Sequence, residues 1–165
     1  MAIWKAQRTL LIVGEGRHEV AFLNHLKHLY VPRGCGLSVT IKNARGKGAL
    51  HVINWTARQI ANVDYDAVAA LLDTDSDWNA KTQKLARTKK IQVLKSEPCF
   101  EAMMLRLLGK SAIGDAQTLK RQFAPLVNND ATQRDHYALH FGSVSLHAGR
   151  NKELAIDALL KLFGY

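Results

Sequence analysis

Two short acidic motifs, each directly behind an apolar run, are the residues in this chain best suited to chemistry. The first is Gly14-Glu15-Gly16 after Leu10-Leu11-Ile12-Val13. The second is Asp73-Thr74-Asp75-Ser76-Asp77 after Val68-Ala69-Ala70-Leu71-Leu72. In a parallel sheet the carboxyl ends of neighbouring strands share one edge, and ligands bind in the crevice there. Carboxylates gathered at such an edge repel one another and hold their protons too tightly unless a cation neutralises them. Hard dications such as Mg²⁺ take oxygen ligands, keep several waters, and bind through one or two carboxylates plus substrate phosphates. Glu15, Asp73 and Asp75 therefore read as ligands of one metal centre. The structural alternative is that Asp73 and Asp75 cap a helix while Glu15 faces water.

Three other chemistries use motifs of this kind. A dinucleotide fingerprint needs G-x-G-x-x-G, and position 19 is Glu;. A calcium loop needs Gly sixth and Glu twelfth, where this chain has Trp78 and Lys84;. An aspartyl phosphotransferase would use Asp73 as nucleophile with a downstream lysine, and Lys95 keeps that reading open.

The elements that must position these acids can be read from periodicity. Leu10–Val13 is a fully apolar run, as in a strand buried on both faces. Val20, Leu23, Leu26 and Tyr30 recur at helical spacing from Glu19 onward, and Pro32 and Gly34 stop the helix. Leu37–Ile41 reads as a second strand, followed by the basic glycine-rich loop Asn43-Ala44-Arg45-Gly46-Lys47-Gly48. Val52, Ile53, Thr56 and Ile60 mark a second helix, and Asp66–Leu72 a third strand. Asp77 or Asn79 can cap a third helix, rich in cations toward its end. Ile91–Leu94 is a fourth strand, and Pro98 can open a helix with Phe100, Met103, Met104, Leu107 and Leu108 on its apolar face. This alternation predicts an α/β fold with about four parallel strands flanked by helices. Beyond Gly109 a helical tail is expected, with helices over Ala116–Phe123 and Lys152–Phe163. Asn128-Asn129-Asp130 and Phe141-Gly142-Ser143 read as connections.

Composition narrows the function classes. Among 165 residues, 23 Lys and Arg stand against 14 Asp and Glu, a formal net charge of +9. A basic chain with a local acidic point suits a metal-dependent enzyme acting on a polyanion. Cys35 and Cys99 form no Cys-x-x-Cys pair, so neither a disulfide framework nor a zinc site is indicated;. The apolar runs are too short to span a bilayer, and the first residues lack a signal-peptide pattern. The expectation is a cytoplasmic protein with reduced thiols and no membrane partner.

Four segments follow one another in order: Gly14-Glu15-Gly16-x-x-Glu19, Gly46-Lys47-Gly48, Leu72-Asp73-x-Asp75-x-Asp77 and Ser96-Glu97-Pro98-Cys99-Phe100-Glu101. The series resembles the Toprim domain of topoisomerases, primases and OLD-family nucleases. Within that family it is similar to the RloB-like branch, found beside restriction and defence genes. The resemblance covers roughly residues 9–109, and Pro-Cys-Phe-Glu is its most distinctive piece. Two departures stand out. Glu97 replaces the usual Asn before Pro98, adding an acid near the site, and His18 replaces a common Thr before Glu19.

The resemblance implies a Toprim-like core over 1–109, with 110–165 as a helical extension packed on the same domain. It further implies Mg²⁺-dependent phosphodiester cleavage, with Mn²⁺ an alternative ion, in a defence or restriction setting. Glu15 would act as general acid/base or ligand, Asp73 and Asp75 would hold the metal, and Glu101 is a candidate second-site ligand. Glu19 is the weaker ligand candidate, and Asp77 reads as a cap. Arg45, Lys47 and Lys95 could steady phosphates, with Lys81 and Lys84 tracking a nucleic-acid backbone; singly, each also reads as a solvated cation. DNA and RNA both stay open as substrates, as do an ATPase partner and a homodimer. The rival classes are a non-catalytic nucleic-acid- or partner-binding Toprim module and a primase-like nucleotidyl-transfer enzyme. His136 and His140, at i and i+4, carry only a weak zinc reading. His25 and His28 read as surface residues. Trp4, Trp55 and Trp78 are too dispersed to form a stacking platform, and Trp78 can either pack over the acidic loop or touch a base.

Overall fold

The computed structural model describes residues 6–75 and 77–165; Trp4 and Ser76 lie outside the described residues. Four strands, β1 (Arg8–Gly14), β2 (Leu37–Asn43), β3 (Ala67–Asp73) and β4 (Gln92–Ser96), form one all-parallel sheet in the order β2-β1-β3-β4. The crossovers are α1 (Arg17–Tyr30), α2 (Gly48–Gln59) and α3 (Ala80–Thr88), and α4 (Phe100–Leu107) follows β4. The chain then continues through α5 (Ala116–Phe123), two short 3₁₀ helices (Ala124–Val127 and Arg134–Tyr137), α6 (Ser143–Gly149) and α7 (Leu154–Leu162).

Strand order decides where a site can form. From β1 the chain moves outward to β2, then crosses back over β1 to β3 and on to β4. The direction reverses between β1 and β3, which are paired from Leu10↔Ala67 to Gly14↔Leu71. A crevice opens at the carboxyl edge of such a switch point, and Glu15 and Asp73 stand there.

Strand alternation divides the core into two layers. Leu10, Ile12, Ala69, Leu71 and Leu94 face one side, where Phe22, Leu23 and Leu26 of α1, Met103 and Met104 of α4, and residues of the 110–165 segment cover them. Leu11, Val13, Ala70 and Leu72 face the other side, under Val52 and Ile53 of α2 and Ala86 of α3. Residues 10–13 are each 0% exposed, as the unbroken apolar run requires;. Phe123, Val127, Tyr137, Phe141, Leu146, Ile156 and Leu159 lie in the first layer, so segment 110–165 shares its core with β1, β3 and β4.

Three local features of the structure differ from the sequence expectation. Asn79 alone caps α3, accepting from the Lys81 and Thr82 amides at 3.0 and 3.1 Å. Asp77 instead reaches to α2, accepting from the Ala49 and Leu50 amides at 2.6 and 3.1 Å. Lys47, at the N-cap of α2, supplies no side-chain cap, and Gly48 lets the carboxylate approach: a Cβ there would meet Asp77 Oδ1 at 2.9 Å. His25 is buried, not a surface residue, with Nε2 2.7 Å from the Phe141 carbonyl; burial pulls its pKa down, and His28 stays exposed. Ser143 starts a helix instead of ending a connection, since Leu146 and Gly149 bury against the first layer.

Candidate functional site

The site begins with two strand ends drawn together by backbone. Glu15 N donates to the Leu71 carbonyl at 3.0 Å, and Glu15 Oε2 accepts from the Asp73 amide at 2.8 Å. The first acid thus fastens the second to the sheet edge. Gly46 N donates to the Glu15 carbonyl at 2.6 Å and Ala44 N to that of Gly14 at 3.0 Å, which ties the basic loop to the same turn. Gly16 N donates to Glu19 Oε2 at 3.1 Å, so Glu19 closes the first turn of α1 and is only 6% exposed.

A cleft of about 690 Å³ opens over this edge. Its lining includes Glu19, Asp73, Asp75, Glu101, Arg45 and His18. Burial pushes the Asp73 carboxyl up to about 8, helped by the charges of Glu19, Glu15, Asp75 and Glu101. Burial likewise lifts Glu19 to about 7, and lifts Glu15 despite the hydrogen bond from Asp73. Asp73 Oδ1 is buried and has no hydrogen-bond partner among the described residues. An acceptor left bare in this way costs free energy that a ligand at that atom would recover.

Glu101 behaves differently. Only 5% exposed, at the first turn of α4, it sits 3.5 Å from Nδ1 of His18. Burial alone would raise its carboxyl, but the His18 hydrogen bond, its own backbone and nearby positive charge together hold it below the usual range. His18 is raised in turn, chiefly by that hydrogen bond. This pair, with Glu101 buried and the His18 side chain 40% exposed, was not legible from the sequence; its one signal was His18 itself, where a Thr is common in the resembled branch.

The cations separate into two groups. Arg45 lines the cleft, held in the left-handed region at φ 65° with its amide on Asn43 Oδ1 at 2.8 Å. Lys47 stands at the start of α2, and Lys81 and Lys84 on exposed turns of α3, none of them in the cleft lining. Lys95 lines a different groove, with Arg106 and Lys152, and pairs with Glu97 at 3.5 Å. Lys95 is therefore not placed to serve an Asp73 nucleophile, and Glu97 is not an added acid at the cleft. Arg17 and Lys120, which the sequence reading missed, line the cleft instead. Trp78 and Trp55 pack against the second core layer. His136 turns its Nδ1 to the Asp130 carbonyl at 2.8 Å.

The donor set suits a hard dication: every acid at the edge offers oxygen, and Asp73 offers one with no other partner. Among the described residues no three His, Cys, Asp or Glu side chains converge as a preassembled metal group. The reason is visible in the hydrogen bonds, since Glu15, Glu19 and Glu101 each already hold a protein partner. A hydrated Mg²⁺ needs only one or two carboxylates, which Asp73 and Asp75 can provide. No family model, no curated protein and no solved structure matches this chain.

Proposed function

We propose that this protein is an Mg²⁺-dependent nuclease of the Toprim type, cleaving phosphodiester bonds at the β1–β3 edge in a defence or restriction setting. The observation that carries this reading is Asp73: a half-buried carboxylate with one buried oxygen unpartnered among the described residues, at a switch-point crevice, near Glu15, Glu19 and Asp75. The order of acidic and glycine motifs supports it, as does the net charge of +9.

The residues have separable tasks. Asp73, with Asp75 at the rim, would hold the ion. When bound, Mg²⁺ neutralises charge on the scissile phosphate and lowers the pKa of an attacking water. Glu15 keeps Asp73 in place through the 2.8 Å bond to its amide. Burial raises the Glu15 carboxyl above its ordinary value, which favours its holding a proton;. Arg45 offers the fork that matches a phosphate.

Cleavage of labelled single- and double-stranded DNA and RNA, in Mg²⁺, Mn²⁺ or EDTA, tests the proposal. Cutting that requires metal and vanishes in Asp73→Ala, while the fold survives, supports it. One observation favours a second reading, a non-catalytic binding module: three of the acids are already satisfied by protein partners. Metal-independent nucleic-acid binding with no cutting by the wild type supports that module.

A further inference from the structure

Three cations line the cleft without an ion-pair partner. Arg17, Arg45 and Lys120 all border it, and none takes part in an ion pair among the described residues. Each is held by an element whose own fixing leaves the side chain free. Arg17 stands at the first position of α1. Arg45 is set by the Asn43 bond to its amide. Lys120 depends on α5: Leu119 and Phe123, each 2% exposed, bury one side of that helix. Ala116 and Lys120, one turn apart, line the cleft from the other;. Asp115 fixes where the helix starts by accepting from the Thr118 amide at 2.8 Å. Glu101, the buried acid whose charge reaches Lys120, is committed to His18.

We infer that α5 completes the site as a phosphate-gripping wall: Lys120, with Arg17 and Arg45, binds backbone phosphates of a short single-stranded segment whose scissile phosphate lies over Asp73. The inference rests on the nuclease reading and names its substrate class. At about 690 Å³ the cleft falls in the size range of small-ligand sites, roughly 300–1,000 Å³. That is room inside the cleft for a few nucleotides of one strand, whereas a paired duplex would have to lie across its mouth. It also moves the nucleic-acid track away from α3, because Lys81 and Lys84 lie on the opposite face of the sheet from α1.

Fluorescence anisotropy with a short labelled single strand decides the matter, using the full chain with Ca²⁺ in place of Mg²⁺, over a range of salt. Lys120→Ala should weaken binding several-fold and lower the salt slope by about 1, Lys120→Arg should keep both, and Lys84→Ala should match the wild type. Lys120 is exposed, so a thermal melt should show the same fold for every variant. Unchanged affinity and slope in Lys120→Ala overturn the inference while leaving the nuclease reading intact. Equal binding of a blunt duplex, with the same dependence on Lys120, overturns the single-strand assignment. A wild type that binds neither the single strand nor the duplex at any salt removes both readings.

Discussion

The two faces of the sheet are built in different ways. Under α2 and α3 the buried layer is small and aliphatic, from Leu11 and Val13 through Val52 and Ile53 to Ile91. The other face buries an aromatic cluster: Phe22, Phe100, Phe123, Tyr137 and Phe141 meet with centroids 5.6 to 6.4 Å apart. Three of these five rings come from segment 110–165. The α2–α3 face is closed by the crossovers alone, whereas the α1–α4 face needs the tail. The cleft draws Arg17, His18, Glu19, Glu101 and Lys120 from elements of the tail-covered face, so the later part of the chain is both lid of the core and wall of the site.

The comparison predicts where damage spreads. Phe141→Ala should cost about 3–5 kcal/mol, because the ring is fully buried against Phe22, Phe123 and Tyr137. Denaturant unfolding should show one cooperative transition with a shifted midpoint; a loss under about 1 kcal/mol would mean that the tail is not part of the core. On the other face, Asp77→Ala removes the acceptor for two amides of α2 and should cost about 1–2 kcal/mol, read in the same experiment. Gly48→Ala should also destabilise, since φ is +86° and its Cβ would press on Asp77;.

A smaller effect has the opposite sign. The folded Asp73 carboxyl titrates near 8 against 3.8 for the unfolded chain, so the metal-free fold binds a proton that the unfolded chain releases. Its contribution is complete below about pH 3.8 and is lost as pH rises toward 8;. In EDTA at pH 7, Asp73→Asn should therefore raise Tm and flatten the fall in stability over that window. A lower Tm would mean that the carboxylate serves the fold. Least of all, Lys84→Ala on the exposed side of α3 should change stability by under about 0.5 kcal/mol.

Much of the α2–α3 face was legible because its signals are local. The runs at 10–13 and 67–72 are apolar throughout because both faces of a central strand are covered. The acids at 15, 73 and 75 stood out because they follow those runs directly. What escaped the reading depends on distant partners. His25 looks like a polar residue on a helix until Phe141 supplies its acceptor 116 residues later. Asp77 lies two residues before Asn79 and looks like the cap of the next helix, yet its amides are 27 and 28 residues back in α2. Lys120 is one basic residue in a polar helix, and only the burial of Leu119 and Phe123 turns it to the cleft.

The proposed nuclease requires that the β1–β3 edge hold a hard dication on Asp73. Calorimetric titration of Mg²⁺ into the wild type, Asp73→Asn and Glu101→Gln tests it most directly. The wild type should bind saturably, Asp73→Asn should show no binding heat, and Glu101→Gln, whose carboxylate serves His18, should retain binding. Equal Mg²⁺ binding by wild type and Asp73→Asn, or none by the wild type, would contradict it.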